Sequence, residues 1–422
     1  MEPMTKTTAA AAFGVLLLGT PAPGFSQELG LRDGDRVVFY GDSITEDGRY
    51  ARAVEEYVAT RFPEWTVSFH NAGVGGDTVA GGWAGTAAER LERDVIAHRP
   101  TVVTVMLGMN DGGYKPFDPA LFDVYREGYR RIVSRLKEAL PGVRLVLLQP
   151  SAYDDVSRAP SFPEGYNSVL TRYGAFVAGL ALEQGAATVD LNAPLVAGIE
   201  RLNRTNPLLA RQVVPDRVHP GAAGHLVMAG ALLRHWGVPA TVTWVGIDAK
   251  GSRLLRSDGT EVTGFAAKGP YLEWTQADRA LPLPVSFADA DVELAELAGA
   301  GLEALDQQKL EVSGLSAGRY EVLIDGGVVG RFSEAELAAG VNLALRETPM
   351  QRQARPVAWS AGDRHGLELA RRRLLVSAKD DPRLAEAAAA LEALDARMQR
   401  ERTEAARPGP RRYEVRRPVT MR

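Results

Sequence analysis

Val37-Val38-Phe39-Tyr40-Gly41-Asp42-Ser43-Ile44-Thr45 is the stretch on which the fold turns. The apolar run Val37 to Tyr40 reads as a buried strand, which places Ser43 on the turn at that strand's carboxyl end. Working outward, strands are expected at residues 36–40, 66–70, 101–107, 144–149 and 187–191. Helical patterns fall between them at 50–61, 84–98, 120–139 and 166–184, with a last one at 222–236. Five short apolar strands separated by helices require parallel pairing through right-handed crossovers, hence a three-layer α/β/α sandwich around a five-stranded parallel sheet. In such sheets ligands bind beyond the carboxyl ends of the strands.

Far downstream, Asp216-Arg217-Val218-His219-Pro220 puts a carboxylate and an imidazole three residues apart, close enough for Asp216 to fix the tautomer of His219. A serine, a base and an orienting acid are the parts of covalent acyl transfer. Two further blocks sit at expected strand ends: Asn71-Ala72-Gly73-Val74-Gly75-Gly76-Asp77-Thr78 and Gly108-Met109-Asn110-Asp111-Gly112. Acyl transfer needs donors aimed at an oxyanion. A glycine lets a backbone N–H approach closely, and an Asn side chain can supply another donor.

In carrying these blocks, the chain resembles the SGNH, or GDSL-type, serine hydrolase superfamily, whose flavodoxin-like sheet matches the one expected here. That family carries Gly-Asp-Ser, a block II Gly, Gly-x-Asn-Asp and a late Asp-x-x-His; here they are Gly41-Asp42-Ser43, Gly76, Gly108-Met109-Asn110-Asp111 and Asp216-Arg217-Val218-His219, in family order. The resemblance covers roughly residues 33–236. It implies Ser43 as nucleophile, His219 as general base and acid, and Asp216 as its orienter. It also implies an oxyanion hole made of the Ser43 N–H, the Gly76 N–H and the Asn110 amide. Because block II is glycine-rich, Gly75 could exchange roles with Gly76. The usual leucine after the serine is Ile44 here, a change without catalytic weight. Asp42 and Asp111 read as structural, bonding loop N–H groups. Nothing in the motif supplies a metal ligand set, and no cofactor is expected.

Composition sets the outer limits. The 422 residues are 45% hydrophobic and 24% charged, ordinary for a globular protein of two or three domains. No cysteine is present, which excludes disulfides, thiolate catalysis and Cys-ligated zinc. Residues 1–26 read as a signal peptide: Lys6 precedes an apolar core from Ala9 to Leu18, then Pro21, Pro23 and small residues lead to Ser26. The protein is therefore expected to be exported, periplasmic or extracellular, without a stable membrane anchor. Residues 30–240 read as the hydrolase domain, 241–348 as an accessory β-rich region and 349–422 as a helical extension with a basic tail. From Arg397 onward there are nine Arg against three Glu. A nucleic-acid role would want basic residues with aromatic stacking partners on a folded surface; a solvated terminal segment is expected instead.

The sequence holds one decoy. Gly314-Leu315-Ser316-Ala317-Gly318 fits the G-x-S-x-G nucleophile pattern, but that motif needs a helix after the serine, and Arg319 to Ile324 read as a strand. A hairpin turn joining 309–313 to 319–325 is expected instead. His70, His98, His235 and His365 lack acidic or histidine partners at ligand spacing and read as ordinary surface or core residues; His225 is expected to face elsewhere in the last helix.

Function follows as a serine esterase acting on a small-molecule or polysaccharide ester, with removal of acetyl groups from a carbohydrate as the leading reading. No long apolar insertion near the site is available to hold an acyl chain, and Trp83 and Tyr114 stand close enough to the catalytic blocks to stack on sugar rings. The alternatives are a lipase, lysophospholipase or acyl-thioesterase, and an inactive carbohydrate-binding protein.

Overall fold

The computed structural model describes residues 30–377 and 381–418; the expected signal peptide lies outside them. The five expected strands are present: β1 (Arg36–Gly41), β2 (Ser68–Gly73), β3 (Val102–Met106), β4 (Arg144–Leu148) and β5 (Ala187–Val189). All pair in parallel, in the order β2-β1-β3-β4-β5, which is the flavodoxin-like arrangement. The helices that follow β1 are α1 (Ser43–Asp47) and α2 (Arg49–Arg61). Those after β2, β3 and β4 are α3 (Ala87–Arg90), α4 (Pro119–Ala139) and α5 (Tyr166–Gln184). After β5 come α6 (Asn192–Thr205), α7 (Pro207–Val213) and α8 (Ala222–His235).

Adjacent β1 residues show why the run lacks polar alternation. Phe39 meets Tyr50 of α2 at 5.6 Å between ring centroids, and Tyr40 on the opposite face lies under the Arg90 guanidinium of α3 at 5.2 Å. Successive side chains point to opposite faces, and helices cover both, so the buried run Val37 to Tyr40 is apolar on both sides, with only Arg36 exposed at its start. Between β2 and β3 lie a two-residue hairpin pair, Gly81–Gly82 with Gly85–Thr86, and the segment 91–98, where α3 runs on into π and then 3₁₀ geometry.

The second half contains nine further strands: β6 (Thr241–Asp248), β7 (Arg253–Asp258), β8 (Thr260–Lys268), β9 (Tyr271–Asp278), β10 (Gln307–Ser313), β11 (Arg319–Ile324), β12 (Gly327–Ser333), β13 (Val341–Asn342) and β14 (Arg411–Arg416). They form a five-stranded antiparallel sheet, β8-β9-β14-β11-β12, and a four-stranded sheet, β13-β10-β6-β7. Val245, Leu310 and Val312 from one sheet share a buried core with Trp274, Tyr320, Val322 and Tyr413 from the other.

Two expectations are corrected here. Residues 309–313 and 319–325 are not a hairpin: β10 pairs with β6 and β13, whereas β11 pairs with β12 and β14, so the Gly314 turn carries the chain between sheets. Inward alternation is the same for both arrangements, which is why the pattern could not separate them. The basic tail is not simply solvated either. Strand β14 runs through the middle of the five-stranded sheet, with Tyr413 and Val415 buried. Its arginines are met by acids: Arg411 by Asp325 at 3.0 Å and Arg412 by Glu273 at 2.8 Å.

Among these strands lie the short helices α9 (Ala290–Leu297), α10 (Leu302–Leu305) and α11 (Glu334–Ala339), and before the tail strand α12 (Pro349–Ser377) and α13 (Pro382–Ala405) fold back onto the parallel-sheet region. Glu55 of α2 is buried between Arg364 of α12 and Arg402 of α13, and Arg364 also meets Asp395 at 2.7 Å. The inward face of α13 is thus Ala388, Asp395 and Arg402, while Leu394 is exposed. A capping box starts the helix at 334–339: the Ser333 hydroxyl accepts from the Glu336 N–H and the Glu336 carboxylate accepts from the Ser333 N–H.

Candidate active site

Ser43 is the first residue of α1, immediately beyond the carboxyl end of β1. Its position follows from Asp42, whose carboxylate accepts the Ile44 N–H at 3.0 Å and caps the helix. The cap leaves the Ser43 N–H, an orphan of the first turn, without an acceptor among the described residues. Glycine at 73 permits the close approach of β2 to this turn: a Cβ there would stand 2.2 Å from the Glu46 backbone nitrogen.

The distant blocks meet at the serine. Ser43 Oγ lies 2.8 Å from His219 Nε2, and His219 Nδ1 lies 2.7 Å from Asp216 Oδ2. The other Asp216 oxygen accepts the Val218 and His219 N–H groups at 3.0 and 2.7 Å. Burial works to raise the Asp216 carboxyl, but these N–H donors and the imidazole together hold it below the usual carboxylate range. The turn that makes this possible places Arg217 at φ 76°, with its carbonyl accepting the Asp154 N–H at 2.9 Å. The pair remains open to solvent, the His219 and Asp216 side chains being 46% and 57% exposed.

Block II is pinned from several directions. The Gly75 N–H donates to Glu46 at 2.9 Å, and the Gly75 carbonyl accepts the Trp83 indole N–H at 3.1 Å. The alternative between the two glycines is thereby narrowed: the Gly75 N–H is committed, while the Gly76 N–H has no acceptor among the described residues. Gly76 sits at φ 77°, a conformation that would strain any residue with a side chain. From block III, Asn110 Nδ2 donates to the Asp77 carbonyl at 2.9 Å, joining the two loops that face the serine. Trp83 and Tyr114 stand at the rim, 60% and 42% exposed.

Behind the serine lie three carboxyls. Asp42 and Asp111 accept backbone N–H groups from Ile44 and Val79, as expected for structural acids. Asp77 pairs with the buried Arg90 at 2.8 Å. Burial pushes Asp42 up to about 7, partly offset by the Ile44 N–H. Since its folded value lies above its ordinary 3.8, the folded state holds the proton more tightly, and the associated stability is lost as pH rises through about 7. Asp42→Asn keeps the cap and removes the charge. Its stability relative to the unmodified protein, read from the melting temperature, is expected to climb between pH 5 and 8.5 by at most about 3 kcal/mol. A pH-independent difference would contradict this account.

Several participants had no local signal in the sequence. On α12, the Arg372 guanidinium donates to the Gly73 and Asn71 carbonyls, and Glu368 accepts the Asn71 N–H at 3.1 Å. Glu368 also pairs with His70, whose ring stacks on His98 at 4.1 Å, so His70 does have an acidic partner, from far along the chain. His225, on α8, is buried and accepts the Tyr50 N–H at 3.3 Å, away from Ser43; burial pushes its imidazole down to about 4, which keeps it neutral for that role. Among the described residues no group of three His, Asp or Glu side chains is arranged to hold a metal ion.

The chain is similar to several known proteins. Residues 39–227 match the model of the GDSL-like lipase/acylhydrolase family. An acetylxylan esterase of Geobacillus stearothermophilus is 29% identical over 226 residues, covering 48% of this chain and 94% of that protein. Its structure superposes with a TM-score of 0.40, at 29% identity over 49% of this chain and 95% of that one. A gut microbial diltiazem-metabolizing enzyme is similar over nearly the whole length, with a TM-score of 0.81, 26% identity, and coverage of 92% of this chain and 98% of that one.

Proposed function

The chain belongs to the SGNH/GDSL hydrolase superfamily and hydrolyses ester bonds, and from that premise we propose that it removes acetyl groups from a carbohydrate through an acyl-enzyme on Ser43. The observation that carries the mechanism is the continuous relay from Ser43 through His219 to Asp216, at 2.8 and 2.7 Å. His219 Nε2 takes the serine proton as Oγ attacks the ester carbonyl. The resulting oxyanion is met by the Ser43 N–H, the Gly76 N–H and the Asn110 amide. Collapse expels the alcohol, protonated by His219, and leaves the acetyl group on Ser43. Water, deprotonated by the same imidazole, then releases acetate and restores the serine.

Two features support a carbohydrate alcohol and a short acyl group. The relay is open to solvent, which suits a bulky alcohol, and a long acyl chain would need an apolar channel to gain from burial. At the rim, Trp83 is an exposed aromatic whose orientation is set by its bond to Gly75, a suitable platform for a sugar ring. The acetylxylan esterase similarity points the same way. We further propose that the protein is exported, on the strength of residues 1–26. No helix among the described residues is long and apolar enough to cross a membrane.

Substrate range tests the reading. With 4-nitrophenyl esters from acetate to palmitate, kcat/KM is expected to peak at acetate or propionate and fall steeply by octanoate. Acetylated xylan and diltiazem belong in the same panel, the second because of the full-length relative. An optimum at eight or more carbons would replace this proposal with a lipase or thioesterase.

A further inference from the structure

Asn110 is held at both ends of its amide. Its Nδ2 donates one hydrogen to the Asp77 carbonyl at 2.9 Å, and its Oδ1 lies 2.8 Å from the Tyr114 hydroxyl. The amide oxygen has no hydrogen to give, so the phenol is the donor. The second Nδ2 hydrogen has no acceptor among the described residues. An amide with a free χ2 would spend part of its time with oxygen facing the substrate, where it would repel an oxyanion instead of binding it. The tyrosine hydroxyl removes that choice.

Tyr114 is itself held firmly. It adopts φ 56°, a left-handed conformation that a tyrosine seldom takes, at the end of the turn closed by the Gly113 N–H on the Asn110 carbonyl at 3.1 Å. Its ring lies 5.0 Å from Tyr166 and 6.2 Å from Tyr153. Tyr166 in turn donates to the Met109 carbonyl at 2.7 Å, so the turn is seated on an aromatic floor. Burial raises the Tyr114 phenol to about 12, which keeps it a donor across the working range. Non-glycine residues in this backbone region are retained where the surroundings over-determine them, commonly beside active sites.

We propose that Tyr114 is a positioning residue that acts through Asn110, its hydroxyl locking the amide so that one Nδ2 hydrogen is presented to the oxyanion. This goes beyond sugar stacking by the ring, and it rests on Asn110 being an oxyanion donor. Losing the hydroxyl costs less than losing the amide, because the Asp77 contact still restrains Asn110 and water can partly replace the phenol.

The test is a double-mutant cycle on 4-nitrophenyl acetate, a substrate without a sugar for the ring to stack on. Rates are normalised by active-site titration with a serine-directed phosphonate, so that misfolded enzyme is not counted. Tyr114→Phe is expected to lower kcat about 10-fold with KM within twofold, and Asn110→Ala to lower it roughly 10²- to 10³-fold. The double variant should match Asn110→Ala alone. Tyr114→Phe with kcat within twofold of the unmodified enzyme would overturn the inference. So would a tenfold penalty that persists without Asn110, since the hydroxyl would then act by another route. If Asn110→Ala turned over at the full rate, the oxyanion assignment itself would fall, and the positioning role with it.

Discussion

Ser43→Ala is expected to abolish ester cleavage, on the order of 10⁶-fold in kcat, in a protein that melts where the unmodified one does. Oγ is the one atom lost, and its one described partner is His219 Nε2 at 2.8 Å. Nothing structural depends on it. The helix that Ser43 begins is capped by Asp42, and alanine at a first helical position costs little. The proposed oxyanion donors stay in place, so a residue of catalysis over water should survive. Ser316→Ala is the matching control. It sits in the turn between β10 and β11, where its carbonyl rather than its hydroxyl accepts the Tyr320 phenol at 2.9 Å. Initial rates on 4-nitrophenyl acetate and a thermal melt decide the matter. Comparable losses from both substitutions would remove Ser43 as nucleophile.

The sheet was legible because both its faces are covered. Phe39 and Tyr40 must each be apolar for different neighbours, and that requirement leaves an unbroken apolar run in the sequence. The site was legible for a related reason: in a parallel sheet the loops after β1, β2 and β3 emerge at the same edge, so Ser43, Gly76 and Asn110 gather there by topology. What supports those loops was not. Arg372 donates to the Gly73 carbonyl from 299 residues away, and an arginine on a helix carries no mark of whether it faces water or a buried carbonyl. The basic tail misled for the same reason. Alternating charged and apolar residues at 412–416 satisfy a central strand, and Arg411, Arg412 and Arg416 meet Asp325, Glu273 and Glu321, partners invisible without the register.

That long-range support bears on what the second half of the chain does. Helix α12 holds the backbone of residues 71–73 through Arg372 and Glu368, and Glu46, from α1, takes up the Gly75 N–H. The loop carrying Gly76 is therefore set between the hydrolase domain's own helix and one supplied from beyond residue 349. A buried guanidinium donating to two carbonyls is costly to remove, because both acceptors lose their partner at once. The C-terminal helices thereby contribute to the geometry of the block II loop, whatever else the β-sheets contribute.

Asp216→Asn is expected to lower kcat on the order of 10⁴-fold while leaving substrate binding and the melt nearly unchanged. The effect depends on which oxygen is replaced. Oδ1 accepts the Val218 and His219 N–H groups at 3.0 and 2.7 Å, so an amide at this position must keep its oxygen there, and cannot flip without setting N–H against N–H. Its NH₂ then falls where Oδ2 was, 2.7 Å from His219 Nδ1. An amide donor at that place requires Nδ1 to accept, which moves the ring proton to Nε2. A protonated Nε2 facing Ser43 Oγ cannot take the serine proton, so the base is present but in the wrong tautomer. Raising the pH should not restore it, since the neutral ring is already the inactive form. Asp216→Ala removes the NH₂ as well as the carboxylate and leaves the tautomer free, so it is expected to be the less damaged of the two in kcat. Rates for both variants across pH 6 to 9 check the point; an Asp216→Asn enzyme within tenfold of the unmodified one would show that Asp216 does not govern the tautomer of His219.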